Sequence, residues 1–109
     1  MTGWTDVCDA GDIDPEDVLR FDHAGRTFAV YRSAKGEVFA TDGLCTHERV
    51  HLADGLVIGD TIESPKHNGR FNTRSGAALR TPVCVALATY PARLNGGRIE
   101  IAIGQGGGA

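Results

Sequence analysis

The side chains best suited to chemistry stand in two short boxes, Cys45-Thr46-His47 and Ser64-Pro65-Lys66-His67, with sixteen residues between them. Thiolate and imidazole ligands in paired boxes suit a transition metal, each box offering its donors from one tight turn. The candidate ligand set is therefore Cys45, His47, Ser64 and His67. Ser64 is the exception in chemistry, because a hydroxyl oxygen is harder and far less acidic than a thiol. Without it, Cys45, His47 and His67 with a water would make a mononuclear site. His51 follows His47 by four positions, but Leu52-Ala53-Asp54-Gly55 allows only about one helical turn, so His51 is read as a structural or rim histidine. Cys8 and Cys84 are read as small buried thiols, and His23 as a solvated turn residue. Lys66, Arg49 and Arg70 form either a positive rim around the site or ordinary solvated loop charges.

The segments that must carry these boxes alternate with a period of two. Phe28 and Val30 oppose Ala29 and Tyr31; Val83, Val85 and Leu87 share a face; Ile99, Ile101 and Ile103 alternate with Arg98, Glu100 and Ala102. Such patterns read as half-buried strands. Strands are expected near 4–7, 18–22, 26–32, 38–41, 56–58, 61–63, 70–72, 77–79, 83–89, 90–94 and 98–103. Turn residues separate them at Asp22–Gly25, Ala34–Glu37, Thr73–Gly76 and Asn95–Gly97. Only Asp14-Pro15-Glu16-Asp17, with Asp14 as N-cap, and a single turn around Val50–Ala53 read as helical. One all-β domain is expected over residues 1–103, with a Gly-rich flexible tail at 104–109. Residues 43–76 hold three of the four histidines and one of the three cysteines, the composition of a loop-built site on a β scaffold.

Composition removes several function classes. Eleven basic and fourteen acidic residues give a net charge of −3, and aromatics make up 6% without a basic stripe, which argues against nucleic-acid binding. The charge is uneven: residues 1–42 carry nine acids and four bases, while residues 43–109 carry five acids and seven bases. No apolar run approaches the ~20 residues of a membrane span. Three cysteines are too few for a disulfide framework, and the first residues lack a signal-peptide pattern, so a cytoplasmic location is expected. There is no Gly-x-Ser-x-Gly elbow, and the acids cluster in the N-terminal third, so neither a serine hydrolase nor a two-carboxylate hydrolase is expected.

With a cysteine at position 64 the boxes would read Cys-x-His, sixteen residues, Cys-x-x-His, the mixed ligation in which two histidines replace two cysteines on one iron of a two-iron cluster. Residues 45–55 and 64–76, with Thr81-Pro82-Val83 and Tyr90-Pro91, resemble the Rieske-type ferredoxins of multicomponent bacterial oxygenases. The wording Cys45–Leu52 and Pro65–Asn72 is most similar to the rhizopine-catabolism ferredoxins, and the resemblance spans roughly residues 3–103. It implies an antiparallel base sandwich plus a small cluster-binding subdomain at about 43–76. It also implies a [2Fe-2S] cluster with Cys45 and position 64 on one iron and His47 and His67 on the other.

The resemblance further implies a cytoplasmic, monomeric carrier, passing single electrons from a flavin-dependent ferredoxin reductase to a terminal Rieske oxygenase without membrane or nucleic-acid partners. Val50 and Lys66 stand where high-potential members have a loop-tying cysteine pair, and Gly69 where they have a hydroxyl donor. The implied potential is low in the Rieske range, on the order of −150 mV. Ser64 departs from the family pattern and leaves three readings open: an introduced change in an ordinary ferredoxin, a natural variant with an altered ligand set, or a chain whose cluster is incomplete or absent. In the last case the chain would be a cluster-free binding subunit of a reductase.

Overall fold

The computed structural model describes residues 3–46, 50–65, 69–80 and 85–103. Their strands are β1 (Trp4–Asp9), β2 (Asp17–His23), β3 (Arg26–Arg32), β4 (Val38–Asp42), β5 (Leu56–Ile58), β6 (Thr61–Glu63), β7 (Arg70–Asn72), β8 (Ala78–Arg80), β9 (Thr89–Tyr90), β10 (Ala92–Asn95) and β11 (Arg98–Ala102). Two single 3₁₀ turns, Ala10–Asp12 and Leu52–Asp54, complete the regular structure. The strands form three antiparallel sheets in the orders β1-β11-β10, β2-β3-β4-β9 and β5-β6-β7-β8. The all-β expectation holds. Among the described residues no helix is long and apolar enough to cross a membrane.

Strand β3 is the shared wall of the molecule. Phe28 and Val30 point into one core with Val38, Ala40, Ile99, Ile101, Cys8 and Ile13. Ala29 and Tyr31 point into a second core with Leu52, Val57, Ile62, Phe71, Leu87 and Cys45. The alternation predicts opposite faces correctly, but β3 is buried on both rather than half-buried, because a sheet covers each side. Tyr31 keeps its hydroxyl satisfied inside this second core by a 2.8 Å bond to Thr41, and burial pushes its pKa upward.

Three sequence expectations are corrected. No strand runs over 85–88: Val85 is 59% exposed whereas Leu87 is 4% exposed, so they do not share a face. The segment is held by irregular bonds instead, with the Leu87 N–H donating to Gly76 O (2.8 Å) and the Asp42 N–H to Ala88 O (3.0 Å). Residues 83 and 84, Cys84 included, lie outside the described residues, as does the 104–109 tail. The expected strand at 90–94 is split at Pro91: Tyr90 pairs with Ala40 of β4, and Ala92 with Ile101 of β11. Proline supplies no N–H to continue a ladder, so the chain changes sheets there. Finally, Asp14–Asp17 is a turn without helix, since Glu16 has φ +57°. The Glu16 carboxylate accepts the Gly59 N–H at 2.9 Å, tying this turn to the β5–β6 turn.

Arg74 makes a second tie between layers. It stacks over Phe39 with 4.5 Å from guanidinium carbon to ring centroid, pairs with Asp60 at 3.2 Å, and also pairs with Glu37. The β2–β3 turn has two residues, Ala24 and Gly25, both left-handed at φ +52° and +79°, the type I′ geometry that favours Asn-Gly. Ala24→Asn is expected to raise stability by about 0.5–1 kcal/mol by relieving the alanine's left-handed cost. In thermal unfolding this reads as a rise of roughly 3–6 °C; an unchanged or lower midpoint would contradict the turn geometry.

Candidate metal centre

Cys45 and Ser64, the opening residues of the two boxes, sit at the necks of two short loops, and the two necks are built alike. In the first, β4 runs on through Gly43 and Leu44; Leu44 bridges His51, the Leu52 N–H donates to Gly43 O at 2.8 Å, and the Cys45 N–H donates to Val50 O at 3.0 Å. In the second, β6 and β7 pair up to Glu63 and Arg70, and the Ser64 N–H donates to Gly69 O at 2.7 Å. Each box therefore opens with a residue whose amide bonds a carbonyl five positions ahead. Cys45 and Ser64 occupy matching places, the last rung before each tip.

Both are buried, Cys45 to 5% exposure and Ser64 to 2%. Cys45 packs in the core beside Leu52 and Leu87, with partly buried Val50 against the same cluster. Pro65, next along the second tip, is exposed. The remaining box members, His47, Lys66 and His67, lie outside the described residues, and so does Arg49. Of the expected positive rim only Arg70 is described; its guanidinium lies 3.7 Å from Glu63, on the outer side of β7. Among the described residues no group of three or more His, Cys, Asp or Glu could hold a metal.

The donor chemistry fits iron at three positions, with a thiol at Cys45 and imidazoles at His47 and His67, and supplies an oxygen at the fourth. The matched necks place Ser64 in the second box where Cys45 stands in the first. Cys8, in contrast, sits at the β1 bulge in the core opposite the site, where burial raises its thiol pKa, as expected of a structural cysteine.

Two contacts were not legible in the sequence. The Thr46 hydroxyl donates to Val85 O at 2.7 Å, fastening the first tip to the segment after β8. Gly76, at φ +76°, lets the β7–β8 turn approach that segment so closely that a Cβ there would lie 2.2 Å from Leu87 O. No spacing rule pairs a threonine with a carbonyl 39 residues away.

His51 is structural, as expected, with 5% exposure, and its Nδ1 accepts the Ala53 N–H at 3.0 Å, capping the Leu52–Asp54 turn. Burial chiefly, with Arg20 adding to it, lowers its pKa below 6.5, against the opposing pull of Asp22 and Asp54. A histidine held neutral stabilises the fold above the unfolded-state pKa and loses that contribution as pH falls through about 6.5 towards the folded value. The stability advantage of the wild type over His51→Asn is therefore expected to shrink between pH 7 and 5 in denaturant unfolding. An advantage that stays constant or grows on acidification would refute a neutral buried ring.

Comparison with known proteins agrees with this architecture. The family model of the Rieske [2Fe-2S] domain matches residues 3–91. The ferredoxin component of the naphthalene 1,2-dioxygenase system of Pseudomonas aeruginosa is 40% identical over 98 residues, covering 90% of this chain and 93% of that protein. Among solved structures, a chain in the complex of reduced oxygenase and oxidized ferredoxin of carbazole 1,9a-dioxygenase superposes with a TM-score of 0.86 at 32% identity, covering 94% of each chain. The Sphingomonas yanoikuyae B1 ferredoxin gives 0.84 at 33% identity, covering 90% of this chain and 96% of that one. A match over most of the chain, in sequence and in fold alike, assigns the protein to the Rieske [2Fe-2S] domain family.

Proposed function

We propose that this protein is a single-electron carrier, a ferredoxin component that serves a terminal oxygenase and is itself charged by a flavin-dependent reductase. The observation that carries the reading is the pair of matched hairpin necks, which hold Cys45 and Ser64 at equivalent, buried positions ahead of His47 and His67. Its relatives point the same way, since the naphthalene relative is a dioxygenase ferredoxin and the carbazole structure holds a ferredoxin together with its oxygenase. Cys45 and Ser64 would hold one iron of a [2Fe-2S] cluster, and His47 and His67 the other. Such a cluster supplies a reversible one-electron site whose neutral imidazoles raise its potential above that of an all-thiolate centre. The chain's own part is to fix Cys45 and Ser64 in buried positions at the two necks. A carrier needs no substrate pocket, and the small core leaves little room for one.

Ser64 sets what is distinctive about this chain. An oxygen in place of a thiolate is a weaker match for iron and alters the cluster or leaves it incomplete. The rhizopine-catabolism wording of both boxes points to an oxygenase of an aromatic- or inositol-type catabolic pathway, and the carrier would work as a monomer in the cytoplasm. The alternative favoured by Ser64 is a cluster-free Rieske-like subunit of a reductase, and a mononuclear site at Cys45, His47 and His67 is the third arrangement.

Iron, acid-labile sulfide and the visible spectrum, measured for wild type and Ser64→Cys after anaerobic reconstitution, test the reading. Ser64→Cys is expected to hold the full [2Fe-2S] complement, to be brown, and to take up one electron reversibly, with the wild type showing a lower content or a shifted spectrum. A colourless Ser64→Cys protein without sulfide would overturn the ligand assignment; one metal without sulfide would establish the mononuclear site instead.

A further inference from the structure

The ring of His51 is wedged at the base of the first ligand tip. Its backbone bridges Leu44, one residue before Cys45, and its Nε2 lies 2.8 Å from the Thr27 hydroxyl on β3. Thr27 Oγ1 in turn lies 2.6 Å from a carboxylate oxygen of Asp22 on β2, and the Thr27 carbonyl accepts the Gly43 N–H at 3.0 Å. The space for the ring exists only because position 43 has no side chain: a Cβ there would lie 2.5 Å from Nε2 and 3.1 Å from the Phe28 backbone.

The donors and acceptors fix one another along this row. Nδ1 accepts the Ala53 N–H, so it carries no proton, and the neutral ring must carry its proton on Nε2. Nε2 then donates to Thr27 Oγ1, and Thr27 donates to Asp22, whose ionised carboxylate can only accept. Asp22 is held below the usual carboxylate range by the Thr27 hydroxyl and then by Arg20, which keeps it ionised. Every polar atom in the row has a partner of the right kind, and the row leads from the β2–β3 hairpin to the root of the loop that presents Cys45.

We infer that His51 is a positioning residue for the first ligand tip, locking the Cys45 neck to the base sandwich through an oriented row of hydrogen bonds, His51 to Thr27 to Asp22. The functional meaning rests on reading Cys45 as a ligand, but the lock itself does not depend on a bound cluster. Packing alone would fill the same space without caring which hydroxyl stands at position 27. The lock requires a hydroxyl there.

Amide hydrogen exchange on the full chain, followed by NMR, tests this with His51→Asn, Thr27→Val and Thr27→Ser. Asparagine keeps a cap acceptor for Ala53 but is too short to reach Thr27; valine keeps the shape of threonine and removes its hydroxyl. Protection at Cys45 and Leu52, whose amides close the neck, is expected to fall at least about fivefold in His51→Asn and Thr27→Val. Protection in β11 is expected to stay within about twofold, and Thr27→Ser is expected to behave as wild type throughout. Unchanged neck amides in Thr27→Val would overturn the inference, and so would equal losses at the neck and in β11, which would mark general destabilisation. Iron and sulfide are assayed in the same samples, so absence of a cluster would count against the carrier reading while leaving the exchange result to decide the lock.

Discussion

Everything in this molecule leans on β3, a seven-residue strand that must satisfy two cores at once. Its even-numbered apolar residues close the base sandwich and its odd-numbered ones close the sheet that carries the ligand necks. A strand with two covered faces has no freedom to slip, because a one-residue shift would exchange Phe28 with Ala29 and misfit both cores together. The second core reaches to Cys45 itself, so that residue inherits its placement directly from side-chain packing. The polar ties, Glu16 to Gly59 and Arg74 to Asp60, are exposed and add only modestly to that placement.

The ligand necks translate this scaffold into chemistry. Backbone ladders end in the same way at Cys45 and Ser64, each amide closing on the carbonyl five residues ahead. The frame treats the two positions equivalently; the sequence does not. A buried serine where its counterpart is a cysteine changes donor hardness while preserving shape, so the fold is indifferent to a replacement that the coordination chemistry would feel strongly. Stability and cofactor content can diverge in such a protein.

Much of the fold could be read from the chain because its signals are local. Alternation located β3 and β11, the strands expected near 18–22, 56–58, 61–63 and 70–72 are β2, β5, β6 and β7, and turn residues located the β2–β3 and β10–β11 turns, with Gly96 and Gly97 at φ +60° and +86°. The failures share one cause, which is tertiary context overriding local pattern. Val85 and Leu87 alternate like a strand, yet the carbonyl of Val85 serves Thr46 and the amide of Leu87 serves Gly76, so no ladder forms. Asp14-Pro15 looks like a helix start, but Glu16 is drawn into a left-handed turn by bonds to Arg32 O and Gly59. The ligand boxes were legible as residue types at a spacing. The threonine and aspartate that hold His51 come from the β2–β3 hairpin, far earlier in the chain, and left no mark on that spacing.

The split at Pro91 carries one more implication. Tyr90 belongs to the sheet of β4, Ala92 to the sheet of β11, and the Pro91 carbonyl between them accepts the Ala102 N–H at 2.9 Å. A single peptide corner thus stitches both leaves of the sandwich, so neither leaf can peel away without dragging the other. Opening of one leaf at this corner therefore pulls on the other, and the base keeps its outline even where a loop beyond it opens locally.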